Sequence, residues 1–203
     1  MTDAVDTCHH NFDTLILGIG NVLWADEGFG VRCIEALNER YEFEPGVRLM
    51  DGGTQGIFLL PWVRSAGRLL IFDAIDFGLA PATLKLIIGD AVPSYMAAKK
   101  VSMHQAGFQE VLSSAKLSGE FPGQVALVGV QPAILNDYGG SLTPGVKAQV
   151  EPALTLAREV LQDWGIEFER RKTVLPARER TGPGALAIHD YEHGRPLPGG
   201  ARP

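Results

Sequence analysis

The sequence predicts an α/β protein: one three-layer domain in which a parallel or mixed sheet carries helices on both faces. Three observations predict it. Between about residues 13 and 166, apolar runs of strand length alternate with stretches of helical spacing, the pattern of successive βα units. The run Gln124–Val130 is apolar almost throughout, as expected of a strand covered on both faces. Several strand-like runs stop at Gly or Asp, which punctuate the loops leaving a sheet.

Taken in order, Thr14–Leu17 is the first strand, ended by Gly18-Ile19-Gly20-Asn21. Asp26 is expected to cap a helix on which Val31, Ile34, Leu37 and Tyr41 recur at helical spacing. Val47–Met50 is a second strand, stopped by Asp51-Gly52-Gly53, and Ile57–Val63 a short helix. Arg68–Phe72 is a third strand ending at Asp73, Thr83–Ile88 a fourth and Gln124–Val130 a fifth; a helix starts near His104. Thr143 caps a long helix with Pro144 in its first turn and Gly165 at its end, and Pro152 inside it is expected to kink or break it. From Thr173 onward, 10 of 31 residues are Gly or Pro and periodicity is lost. The expected organisation is therefore a flexible N-terminus (1–12), an α/β domain (13–166) and a Gly/Pro-rich tail (167–203), extended or disordered.

Composition narrows the function. The 203 residues suit one domain with room for a tail, and 45% hydrophobic with 21% charged residues is ordinary for a globular chain. No apolar run approaches the ~20 residues of a membrane span. Met1–His10 carries acids and no apolar stretch, so no secretory signal is read and a cytoplasmic location is expected. Two cysteines, Cys8 and Cys33, are too few for a disulfide framework or a thiolate-rich metal site. Residues 1–166 hold 11 basic and 19 acidic side chains, a balance that disfavours nucleic acid as a partner. Arg170-Arg171-Lys172 reads as a solvated surface run.

The chemistry-bearing residues gather at strand ends. Gly18-Ile19-Gly20 lacks the third glycine of a dinucleotide fingerprint, where Leu23 stands, and no P-loop follows. The loop instead carries Asp26 and Glu27 to the carboxyl edge of the sheet, where open α/β folds bind ligands. A capping role suits Asp26; for Glu27 a helix-dipole role and a functional one stand side by side. Asp73 follows four apolar residues and is costly to bury unless paired, hydrogen-bonded or on a metal. Asp51 ends its strand in the same way, with an Asx turn as the plain alternative; Asp76 reads as a loop acid. His104, the one histidine between residues 11 and 188, can reach the same edge. Two carboxylates and an imidazole suit a divalent ion of the nickel or zinc type. The Cys8-His9-His10 run, His189 and His193 lie in terminal segments and read as incidental.

Together the segments from Gly18 through Asp26-Glu27 to Val31, Asp51-Gly-Gly-Thr, Asp73-Ala-Ile-Asp, Ser102-Met-His104-Gln, Ala126-Leu-Val-Gly-Val-Gln-Pro and Leu142-Thr-Pro resemble the nickel–iron hydrogenase maturation endopeptidases, in order, from about residue 14 to 165. Leu23-Trp24-Ala25 and Asp137–Ser141 are most similar to the branch serving membrane-bound uptake hydrogenases. The resemblance implies a twisted, mostly parallel five-stranded sheet flanked by helices, and removal of a C-terminal peptide from the precursor of the hydrogenase large subunit after nickel insertion. It implies Glu27, Asp73 and His104 as metal-contacting residues, with nickel presented by the precursor and no organic cofactor. Glu27 and Asp51 are the candidates for the catalytic base. The partner is the large-subunit precursor, with a monomer expected. A metallopeptidase holding its own zinc, a non-catalytic nickel chaperone or docking module, and a weak nucleotide binder are the alternatives. The tail after Arg170 has no counterpart in the shorter family members.

Overall fold

The computed structural model describes residues 12–98, 103–182 and 186–194. Its elements are β1 (Thr14–Ile19), α1 (Phe29–Arg40), β2 (Tyr41–Phe43), β3 (Val47–Gly53), α2 (Leu60–Arg64), β4 (Arg68–Ala74), β5 (Leu84–Ile88), α3 (Ala91–Ala98), α4 (Met103–Leu117), β6 (Gln124–Val130), α5 (Pro144–Lys147), α6 (Val150–Asp163), β7 (Phe168–Arg170) and α7 (Ile188–Gly194). Five strands form one sheet in the order β3-β1-β4-β6-β5, with only β5 antiparallel to its neighbour. From β1 the chain goes outward to β3, then returns past β1 to β4. The switch point, where an open sheet leaves a crevice, therefore lies between β1 and β4.

Strand alternation divides the core in two. Ile16, Leu70, Phe72 and Val128 face α1 and α6, packing on Phe29, Ile34, Leu154 and Leu161. Leu15, Leu17, Leu69, Ile71 and Leu127 face α2 and α4, packing on Val63, Phe108, Val111 and Leu112. Helix α1 sits unusually close to β1 because two glycines face each other. A Cβ on Gly18 would collide with the carbonyl of Gly30, and one on Gly30 with the carbonyls of Ile19 and Phe72. Backbone cannot yield as a flexible side chain can, so this approach fixes where α1 begins.

The structure departs from the sequence reading in four places. Asp26 does not cap α1; it lies in a 3-10 turn, Ala25–Gly28, and its carboxylate points elsewhere, as described below. Tyr41, expected on the first helix, does not continue α1; the helix ends at Arg40 and Tyr41 opens β2. The break expected from Pro152 is present at Ala148–Gln149, four residues before it, and leaves Pro152 in the first turn of α6, where a missing N–H removes no helical bond. Thr143 opens α5 without a side-chain cap, because its hydroxyl is bonded to Asp26.

The fourth departure is the tail. Residues 167–203 were expected to be extended or disordered, yet β7 pairs antiparallel with β2, and α7 forms further on. Phe168 packs against the rings of Tyr41 and Phe43, and Leu175 is buried. Gly and Pro interrupt the segment, but Phe168 and Leu175 find partners while Val174 stays exposed. The Cys8-His9-His10 run lies outside the described residues.

Gly30→Ala is expected to lower stability by about 3 kcal/mol or more, above the usual overpacking range because the clash is with backbone. Chemical denaturation of the variant checks this; an unchanged midpoint would mean that α1 can slide on the sheet.

Candidate active site

The loop after β1 turns at Gly20 (φ 135°) and runs through Asn21 into the 3-10 turn. Asn21 N–H donates to the Glu27 carbonyl at 3.2 Å, and Glu27 N–H to the Trp24 carbonyl at 2.9 Å. Inside this loop the Asp26 carboxylate is fully buried. One oxygen, Oδ2, accepts the N–H groups of Ala133 and Ile134 at 2.9 Å each and the Thr143 hydroxyl at 3.1 Å. The other, Oδ1, accepts Thr143 N–H at 2.7 Å. Backbone bonds reinforce the join: Asp26 N–H to the Ile134 carbonyl at 3.2 Å, Ala25 N–H to that of Gly140 at 3.1 Å. Hydrogen bonds to a charged acceptor contribute roughly 1.5–3 kcal/mol each, so the loops after β1 and β6 behave as one body.

That body holds Glu27, half-buried, over the end of β1. Asp73 sits at the end of β4, fully buried, with Oδ1 accepting Ala74 N–H at 2.8 Å. It continues the stripe of Leu69 and Ile71, so it belongs to the face covered by α4. Because α4 leads into β6, which runs parallel to β4, the first turn of α4 lies at the same carboxyl edge. His104 stands in that turn, four residues before Phe108; its side chain lies outside the described residues. Gly107 draws this end of α4 onto the loop after β3: a Cβ there would be 3.2 Å from the Cα of Gly56.

Asp51 reaches the edge on the opposite face. It pairs with Gly18, which in turn pairs with Phe72, and it follows Val47 and Leu49 on the α1 side of the sheet. Two strand spacings, roughly 10 Å, therefore separate the backbones of Asp51 and Asp73. Burial pushes the Asp51 carboxyl up from its ordinary value, against the Gly53 N–H and the charge of Arg32, which favour the anion. The bond from Gly53 is an Asx turn, so that plain reading of Asp51 holds alongside its place at the edge. Glu35 on α1 is likewise raised, by burial first, with Arg32 opposing.

Three residues at this edge escaped the sequence reading. Gln131 is buried at the end of β6, where Oε1 accepts the N–H groups of Phe77 and Leu79 at 2.7 and 3.1 Å, and Nε2 donates to Asp76 at 3.1 Å. A polar residue closing the continuous apolar run of β6 was a readable signal. Arg32 and Glu35 gave none, since charged residues on an amphipathic helix are normally solvated. Among the described residues, no three His, Cys, Asp or Glu side chains gather as a metal site by themselves.

A family model described as hydrogenase maturation protease matches residues 31–160. The chain belongs to that family. As a hydrogenase maturation protease it is a hydrolase of peptide bonds. It is 57% identical over 182 residues to the hydrogenase expression/formation protein HoxM of Azotobacter vinelandii, covering 90% of this chain and 86% of that one. It is 41% identical over 161 residues to the hydrogenase 2 maturation protease of Escherichia coli K12, covering 79% and 97% of the two chains. Among solved structures, the hydrogenase maturating endopeptidase HybD from E. coli superposes with a TM-score of 0.74 at 40% identity, covering 79% of this chain and 98% of that one. The α/β sheet and its helices are thus those of the maturation proteases, and no described helix is long and apolar enough to cross a membrane.

The raised carboxyl of Asp51 has a consequence for stability. A carboxyl bound more tightly to its proton in the folded state stabilises the fold at low pH, and that contribution is lost as pH rises through the folded value. Asp51→Asn keeps the acceptor for Gly53 N–H and removes the charge. Its melting temperature relative to wild type is expected to rise between pH 4 and pH 7. Parallel melting curves over that range would show Asp51 titrating normally.

Proposed function

We propose that this protease removes a C-terminal peptide from the nickel-loaded precursor of the nickel–iron hydrogenase large subunit, and that nickel in the substrate is its recognition element. The observation that carries the reading is the meeting of Glu27, Asp73 and the first turn of α4 at one sheet edge, in a chain of the maturation protease family. Asp73 is a fully buried carboxylate, an arrangement that a cation at the edge would favour. Glu27, Asp73 and His104 would engage nickel that the precursor already holds, contributing oxygen and nitrogen donors of a kind that suits that ion. Nickel here is part of the substrate, and no organic cofactor is required.

The protease's own residues then have three tasks. The metal-contacting set fixes the scissile segment, which converts an encounter into an oriented complex. A base must take a proton from the attacking water, and Asp51 is the better placed of the two candidates, since its raised carboxyl lies nearer to the working pH than a solvated aspartate. Glu27 would serve as ligand rather than base. Apolar surface surrounds the edge for an extended peptide: Phe58, 77% exposed, lies on the loop after β3, and Tyr138, 67% exposed, on the loop after β6. Such a protease would act in the cytoplasm as a single chain, before the large subunit closes around its metal centre.

One added metal contact need supply only about 1.4 kcal/mol for each tenfold preference for loaded over empty precursor. The purified protein is therefore expected to shorten nickel-loaded precursor and leave metal-free precursor intact, as followed by mass spectrometry. Equal cleavage of both would remove nickel as the signal, and cleavage that depends on zinc bound to the protease would identify an ordinary metallopeptidase.

A further inference from the structure

Arg32 has no part in the mechanism above, yet it is one of the few charged side chains that the fold buries, at 4% exposure. From α1 its Nη1 donates to Glu35 at 2.8 and 3.1 Å and to the carbonyl of Leu186, 154 residues away, at 2.5 Å. The ring of Tyr191 lies 5.6 Å from the guanidinium carbon, within cation–π reach. Both partners belong to the C-terminal segment, which crosses α1 beside Asp51. Gly182 marks the crossing: a Cβ there would stand 3.4 Å from Glu35 Oε1 and 3.5 Å from Asp51 Oδ2. The two carboxylates thus meet under one stretch of backbone.

The same segment grips the other wall of the site. Glu192 accepts the Ser141 hydroxyl at 2.7 Å and the Lys147 ammonium at 2.7 and 2.8 Å. These bonds hold its carboxyl below the ordinary value despite the opposing effect of burial. Ser141 lies in the stretch that Asp26 ties to Glu27, so the described residues 181–182 and 186–192 act as a strap, touching α1 on one side and the metal-contacting loop on the other. Thr181 N–H, bonded to Asn38 Oδ1 at 3.2 Å, anchors its near end. A cavity of about 400 Å³ remains between strap, α1 and α6, reached by Arg32, Glu35 and His189.

We propose that Arg32 is a positioning residue for Asp51 and that the C-terminal strap holds it in that role. The inference rests on Asp51 acting as the base. A guanidinium whose Nη1 is shared between Glu35 and the Leu186 carbonyl, with the Tyr191 ring beside it, is held in place under the strap. Its charge favours the anionic carboxylate that a base requires, against the burial that disfavours it. Among the described residues, the groups found beside the Asp51 carboxyl are Arg32 and Glu35 from α1, Gly53 N–H from the end of β3, and the uncharged Gly182 from the strap. Arg180 is engaged with Glu39 at 3.8 Å.

The test uses the full chain with Arg32→Met, Arg32→Lys and Tyr191→Leu, read by cleavage kinetics on nickel-loaded precursor and by NMR titration of the Asp51 carboxyl. For Arg32→Met, kcat is expected to fall about tenfold or more with KM within about twofold, and the Asp51 midpoint to move up. Arg32→Lys keeps the charge without the guanidinium's contacts to Leu186 and Tyr191, so its midpoint stays near wild type while kcat falls less. Tyr191→Leu moves both readouts in the direction of Arg32→Met by a smaller amount. Folded variants with unchanged kcat and an unchanged Asp51 midpoint would overturn the proposal. If Arg32→Met does not fold, unchanged values for both other variants overturn it equally. A wild-type protein that cleaves no precursor would defeat the proposed function instead, and the titration alone would still decide whether Arg32 governs Asp51.

Discussion

Three backbone N–H groups and one hydroxyl from residues 133–143 converge on the buried carboxylate of Asp26. An isolated carboxylate in that position would be strongly destabilising, and four donors without an acceptor would be as well. Each side is tolerable only because of the other. The pairing makes the loops after β1 and β6 a rigid rim, and Glu27 is the next residue along it. Its neighbours Trp24 and Tyr138 pack edge to face across the same join, with centroids 5.2 Å apart.

The sheet sets the remaining positions. The Gly18–Gly30 approach seats α1 on β1, and strand register then places Asp51 level with Gly18 and Asp73 one residue beyond the level of Phe72. Parity puts the two acids on opposite faces. One side of the edge therefore carries Asp73 with the first turn of α4, and the other carries Asp51 with Arg32 and Glu35. Metal engagement on one face and proton transfer from the other would let a peptide lie across the switch point between them.

Much of this was legible in the chain. Strands β1, β3, β4 and β6 were readable because buried parallel strands are nearly continuous apolar runs, and their ends pointed directly to Glu27, Asp51 and Asp73. The partners of Asp26 were not legible, since they lie more than 100 residues away and local spacing suggests a cap. The break at Ala148–Gln149 was legible, because Pro152 has no N–H for the Ala148 carbonyl and its ring crowds that group. Arg32 looked like any helix-surface arginine until the C-terminal segment covered it. That segment was misjudged for a related reason: Gly and Pro content reports local stiffness, whereas α7 is held by contacts to distant residues.

The central claim is that the carboxyl edge, with Glu27 and Asp73 as its charged contacts, is where the precursor is cut. Charge can be removed there with almost no change of shape. The deciding measurement is the mass of nickel-loaded precursor after incubation with wild type, Glu27→Gln or Asp73→Asn, each shown to melt cooperatively. The account predicts a shortened precursor with wild type alone; normal shortening by both variants would contradict it.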